Sequence, residues 1–279
     1  MRVLLTNDDG VQAPGIAALC LALQARAGLD VTVSAPERER SAIGHAITLH
    51  KPLHANPAVI AGATCPIWSV SGTPADSTKI AVLALMAERP DLVISGINRG
   101  ANVGADVMYS GTVSAALEGT LLGIPSLAVS LEGFENLDYG PAGAFVADLV
   151  ERLAAAPLPS APHPYLLNVN VPAGPRAEWA GVAVTRLGVR YYEDFIDKRQ
   201  DPRGRTYYWL SGEVRDTRAE PAEPGTDIWA LDKDMVSITP LRFALTDESA
   251  RQALQPWAEG LLSGGAGPSC RAGAGPMRR

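Results

Sequence analysis

Asp8 and Asp9 stand side by side at the end of a short apolar run, Val3-Leu4-Leu5-Thr6-Asn7, and Gly10 follows them. Two adjacent carboxylates repel unless something cationic sits between them. A divalent metal is the simplest such partner, so the pair is expected to hold a hard metal ion. The apolar run reads as a buried strand. Open α/β sheets present the C-terminal ends of such strands to ligands. The two acids therefore sit where a site is built, and later loops must complete it.

Three further stretches carry side chains suited to that site. Residues 36–44 hold four alternating charges and then Ser41. The charges read as a solvated loop. Ser41 has two readings, a hydroxyl ligand for a hard cation or a loop serine bonding backbone. Asn98 stands in a loop whose glycines, Gly96, Gly100 and Gly104, are four apart. That spacing is neither the dinucleotide fingerprint nor the P-loop. Asn98 supplies an amide oxygen to a metal, an amide N–H to a phosphate, or simply a turn. Ser110-Gly111-Thr112 opens a helix whose free N–H groups form an anion site. The two hydroxyls there can add donors or merely cap the helix. An all-oxygen donor set suits Mg²⁺ or Mn²⁺ better than zinc.

The elements that must position these residues follow from pattern. Residues 16–27 form an Ala/Leu-rich helix, with Pro14 near its start and Gly28 at its end. Residues 30–35 are a second strand, parallel to the first through a β-α-β crossover. Residues 46–53 and 67–71 read as short strands. Thr73-Pro74-Ala75-Asp76 caps a helix running to about Glu88. Strands at 91–95 and 126–131 flank a helix at 113–122, and a helix covers 142–155. A Pro-rich linker reaches Pro164, and strands follow at 166–171, 181–185 and 236–239, then a helix at 247–262. Residues 187–234 change character and carry the aromatic cluster Tyr207-Tyr208-Trp209. Such an excursion is expected to be a hairpin arm, packed on a second subunit or folded back on its own surface. Residues 263–279 are Gly/Ala/Pro-rich and are expected to be disordered. The fold class is thus α/β, a three-layer α/β/α unit over residues 1–262 with a mostly parallel, Rossmann-like sheet plus a C-terminal β-hairpin arm.

Composition sets limits. The chain has 279 residues, 47% of them hydrophobic, and a formal net charge of −6. That charge argues against a nucleic-acid polymer as partner. No apolar run approaches a membrane span and no signal peptide is evident, so the expected location is the cytoplasm. Cys20, Cys65 and Cys270 show no metal-ligand spacing and read as free thiols. His45, His50, His54 and His163 read as structural or exposed, with His45 near enough to Ser41 to line a pocket.

Together these segments resemble the SurE family. The likeness rests on Asn7-Asp8-Asp9-Gly10, residues 35–41, Gly72-Thr73-Pro74-Ala75-Asp76, residues 95–100 and Tyr109-Ser110-Gly111-Thr112-Val113. It continues through Asn168-Val169-Asn170-Val171-Pro172, Asp201-Pro202-Arg203-Gly204 and residues 236–241. The resemblance implies a metal-dependent phosphatase acting on nucleoside monophosphates, a 5′-nucleotidase that also takes 3′-nucleotides and short polyphosphate. It implies Asp8, Asp9, Ser41 and Asn98 as ligands of one divalent ion per subunit. It implies phosphate contacts at Asn98, Ser110, Gly111 and Thr112, and a homodimer or homotetramer built through the arm. Ser77, Ala101 and residues 232–235 depart from the family pattern, and none is a proposed ligand.

The expected reaction is attack of a metal-activated water on a phosphate monoester, with Asp8 and Asp9 as the catalytic carboxylates. One rival is a haloacid-dehalogenase type of phosphatase. It uses Asp-x-Asp, whereas the acids here are adjacent. Another is a non-catalytic nucleotide-binding module on the same scaffold.

Overall fold

The computed structural model describes residues 1–156, 158, 164–190, 192–214 and 222–262. In chain order the elements are β1 (Arg2–Thr6), α1 (Pro14–Gln24), β2 (Asp30–Pro36), β3 (Ala55–Pro57), β4 (Ile67–Val70) and α2 (Pro74–Ile80). Then come β5 (Leu92–Arg99), α3 (Gly111–Leu121), β6 (Ser126–Leu131), α4 (Gly140–Ala155), β7 (Leu166–Val171) and β8 (Gly181–Val184). The described residues continue with β9 (Tyr192–Gln200), β10 (Thr206–Val214), α5 (Asp227–Leu231), β11 (Met235–Leu241) and α6 (Glu248–Leu262).

Nine strands form one sheet in the order β3-β4-β2-β1-β5-β6-β7-β11-β8. All pairs are parallel except β3 with β4 and β7 with β11. The chain winds one way from β1 to β2 and the other way to β5. That places the tip of β1 at the switch point, where such sheets hold ligands.

Alternate strand residues face opposite sides of a sheet, and both sides here are apolar. Val3, Leu5, Ile94 and Val129 pack with Leu19 and Leu23 of α1 and Val146 and Val150 of α4. On the other side Leu4 and Val93 meet Ala81 and Ile124, while Ala128 and Leu166 meet Val113 and Ala116 of α3. This is the expected three-layer α/β/α arrangement. Each fully buried Leu contributes about 2 kcal/mol of apolar transfer.

Several boundaries differ from expectation. Residues 46–53 form no strand. Their backbone is taken by the start of α2: Thr48 N–H donates to Asp76 Oδ1, and Thr73 Oγ1 donates to the Ala46 carbonyl. α2 begins with the expected capping box between Thr73 and Asp76. It becomes a π-helical turn at Ala81–Leu85 and stops short of Glu88. β5 runs on through Gly96 to Arg99, with an irregular register between Ser95 and Asn98. α1 ends at Gln24, before Gly28, whose φ of 80° lies in the turn into β2.

The hairpin exists: β9 and β10 pair antiparallel as a separate two-stranded sheet. The linker expected before Pro164, with His163, lies outside the described residues apart from Leu158 and Pro164, as do residues 191 and 215–221 of the arm and the tail with Cys270. Contacts group Met1–Leu241 as one compact unit and Arg242–Arg279 as another, whose described helix is α6. Among the described residues no helix is long and apolar enough to cross a membrane.

Candidate functional site

The tip of β1 is shaped by Asn7. Its side chain donates to the Gly10 carbonyl at 2.9 Å and accepts from the Gly10 N–H at 3.1 Å. This local turn brings the chain round so that Asp8 and Asp9 leave the strand end. Gly10, at φ 101°, lies under the loop after β2, where a Cβ would meet Arg38 and Glu39 backbone at 3.1–3.3 Å. Val11 N–H donates to the Pro36 carbonyl and Arg40 N–H to the Asp8 carbonyl, at 2.8 and 2.7 Å. The loop carrying Ser41 is thereby fastened to the acids by main chain.

Asp8 is 4% exposed. Its Oδ1 accepts from Thr112 Oγ1 at 2.5 Å. At Gly111, the first residue of α3, a Cβ would lie 2.7–3.1 Å from Asp8 side-chain atoms. Glycine is what lets the helix start approach that carboxylate. Burial pushes the Asp8 carboxyl up to about 6, with Asp9 adding repulsion against the Thr112 bond. Asp9 is half-buried and also pushed up by burial. It accepts from the Arg99 N–H at 3.3 Å and feels the charge of Glu39.

The other expected residues take these places. The Asn98 amide nitrogen donates to the Gly100 carbonyl at 2.8 Å, and also to that of Arg99. Its oxygen is therefore the end left for a ligand. Ser41 is exposed, and its hydroxyl donates to Glu39 Oε1 at 2.9 Å rather than to either aspartate. Ser110 caps α3, its hydroxyl accepting from Val113 N–H at 3.2 Å. The Thr112 hydroxyl is committed to Asp8. Asp8, Gly111 and Thr112 are thus in direct contact. Asp9 and Asn98 are linked through Arg99, and Ser41 joins the group only through its loop.

Sequence reasoning missed several neighbours. A cavity of about 370 Å³ opens beside Asp9, lined in part by Gln12, Glu37, Arg38, Arg99 and Tyr139. Tyr139 comes from the N-cap of α4, and burial raises its hydroxyl pKa. No local pattern marks it. His45 does not face this cavity's lining. Its Nε2 is 2.8 Å from Glu118 Oε2, and Lys79 Nζ is 2.7 Å from Oε1 of the same carboxylate. Asn102 is a third surprise. Its N–H donates to Asn170 Oδ1, its amide nitrogen to Ser130 Oγ, and its carbonyl accepts from both Asn168 and Asn170, all at 2.8–3.0 Å.

The donor chemistry suits a hard cation. Two carboxylates destabilised by burial gain from a nearby positive charge, and a hydroxyl and an amide oxygen stand on adjoining loops. Among the described residues no three His, Cys, Asp or Glu side chains gather to hold a metal. A cation at this tip would rest on two acids plus neutral oxygens.

A family model described as survival protein SurE matches residues 3–194. A protein of Moorella thermoacetica named 5′-nucleotidase SurE is 52% identical over 265 residues, covering 95% of this chain and 98% of its own. One of the same name from Heliobacterium modesticaldum is 50% identical over 268 residues, covering 96% and 94%. The crystal structure of the SurE protein from Aquifex aeolicus superposes with a TM-score of 0.76 at 38% identity, covering 92% of this chain and all of that one. The chain belongs to the SurE family.

Proposed function

We propose that this protein is a divalent-metal-dependent phosphatase of nucleoside monophosphates, a 5′-nucleotidase that also accepts 3′-nucleotides and short polyphosphate. The observation that carries the reading is Asp8, a carboxylate buried at the switch-point strand tip and pressed against the N-terminus of α3. The relatives named 5′-nucleotidase support the substrate class. Asp8, Asp9, Ser41 and Asn98 would hold one Mg²⁺ or Mn²⁺. When bound, the ion supplies Lewis-acid polarisation of phosphoryl oxygen and a water of lowered pKa.

The chain's own residues divide the remaining work. Thr112 fixes the rotamer of Asp8 by its hydrogen bond. Asp9, the more accessible acid, orients the attacking water and takes up its proton. Free N–H groups at the start of α3 and the Ser110 hydroxyl stabilise charge on the phosphoryl oxygens. Gly111 leaves room for them to come close. Asn98, whose amide nitrogen already serves the Gly100 and Arg99 carbonyls, turns its oxygen to the ion. The cavity beside Asp9 has the size of small-ligand pockets. It offers Tyr139 and Arg99 to the nucleoside. The hairpin of β9 and β10 is assigned to assembly with further copies of this chain.

A phosphate-release screen over nucleoside 5′- and 3′-monophosphates and polyphosphate, with metal stripped and then Mg²⁺ or Mn²⁺ restored, tests the reading. Release should require metal. Asp8→Asn should lower it about a thousand-fold or more with the fold intact by circular dichroism. Near-normal release by both Asp8→Asn and Asp9→Asn would remove the carboxylates from the reaction. Metal-dependent nucleotide binding without any release would make the protein a binding module instead.

A further inference from the structure

Cys20 and Cys65 are 45 residues apart in sequence, and their Sγ atoms stand 3.4 Å apart. Both are free thiols, Cys20 buried on α1 and Cys65 half-buried just before β4. Their contact is held by its surroundings. Gln24 of α1 donates to the Gly62 carbonyl at 2.8 Å and accepts from the Thr64 N–H at 3.0 Å. Gln12 donates to the Val59 carbonyl at 3.1 Å. The segment before β4 is thus laced along one side of the helix, and the two sulfurs face each other at its middle. Bonding distance is about 1.4 Å closer, within the reach of side-chain rotations.

We infer that Cys20 and Cys65 form a dithiol that hydrogen peroxide closes into an intrachain disulfide. The two sulfurs have unequal parts. Either thiol can donate in this contact, and when Cys65 is ionised the Cys20 thiol is its donor, which draws Cys65 down to about 7 against the opposing effect of burial. The same bond, with burial, raises Cys20. Cys65, half-buried, is the sulfur that peroxide can reach, so it attacks, and the buried Cys20 sulfur resolves.

The Cys65 thiolate attacks one peroxide oxygen. The O–O bond breaks, and the departing hydroxide takes a proton to become water. Cys65 is now a sulfenic acid, oxidised by the two electrons that reduced the peroxide. The Cys20 sulfur then attacks the Cys65 sulfur and gives up its proton. The S–O bond breaks, and the oxygen leaves as a second water. Two thiols and one peroxide yield one disulfide and two waters, and a thiol reductant reverses the change. The bond would tie the middle of α1 to the segment before β4. The first turn of that helix carries Pro14, which with Gln12 lines the cavity beside Asp9. The inference does not depend on the proposed phosphatase activity.

The test treats the full reduced chain with hydrogen peroxide, blocks remaining thiols and maps peptides without reduction. The expected result is a cross-linked peptide joining Cys20 to Cys65, a loss of about 2 Da from the intact mass, and reversal by dithiothreitol. Cys65→Ser should leave Cys20 reduced under the same treatment. Cys20→Ser should leave Cys65 as a sulfenic acid that dimedone traps. Because Cys20 is buried and its variant can fail to fold, the map of the unsubstituted chain decides by itself. Dimedone-labelled Cys65 with no Cys20–Cys65 peptide overturns the inference, as does a cross-link made to Cys270 instead.

Discussion

Glu118 and Asp8 are both buried carboxylates, and their surroundings push them in opposite directions. His45, then Lys79, hold Glu118 below the usual range against the cost of burial. Asp8 has a hydroxyl for a partner and is pushed up. A carboxyl lowered in the fold contributes stability above its unfolded pKa and loses it as pH falls through the folded value. Glu118→Gln should therefore lower stability at neutral pH by about 1–2 kcal/mol, discounted because Lys79 is partly exposed. The gap in melting temperature from the unsubstituted protein should close on acidification below the ordinary glutamate range. A gap of equal size at both pH values would assign Glu118 to packing alone. Residue type and adjacency made Asp8 and Asp9 legible in the sequence. Ser41 and Asn98 stood open between ligand and loop roles until the family resemblance favoured the ligand. Glu118 escaped notice because a helical glutamate usually faces water, and its partner His45 lies 73 positions away.

Between elements, contact distances rather than propensities decide what the site can be. α3 meets β1 at Gly111 against Asp8, a contact bridging more than a hundred residues that no local period encodes. Gly111→Ala should force the helix start or the carboxylate to move. The expected cost is about 1–3 kcal/mol and at least roughly ten-fold in phosphate release from the misplaced acid. Urea melts and the release assay check the two effects separately. Wild-type turnover in this variant would show that the approach of α3 has no bearing on the chemistry. The same priority of contact over pattern explains the missing strand at 46–53. Its alternation suited a strand, but Asp76 and Thr73 offered its backbone better partners. Strands β1 and β6 were legible as short apolar runs, and β2 and β7 as alternations of apolar with polar residues such as Thr32, Asn168 and Asn170.

For the whole molecule, the parallel sheet and its ligand edge followed from strand–helix alternation, while the arm's purpose did not. A lone two-stranded hairpin is marginal in water. Ile196 and Leu210 are paired directly across this one and are 61% and 78% exposed. Light scattering should give the mass of a dimer or tetramer, and Ile196→Ser with Leu210→Ser should shift it toward one copy without changing secondary structure. A monomer at micromolar concentration before any substitution would release the arm from that duty.

Asn102 follows β5 by three residues, yet it is bonded to β6 and β7. One side chain and its own peptide groups act as a rivet through three neighbouring crossover units. Each of its four bonds is worth about 1 kcal/mol net and more if left broken in the interior. The stretch leaving Asn98 is consequently no free lid. A ligand held at this edge would meet a wall already set on the Asn98 side, while Ser41 on the opposite bank stands in solvent.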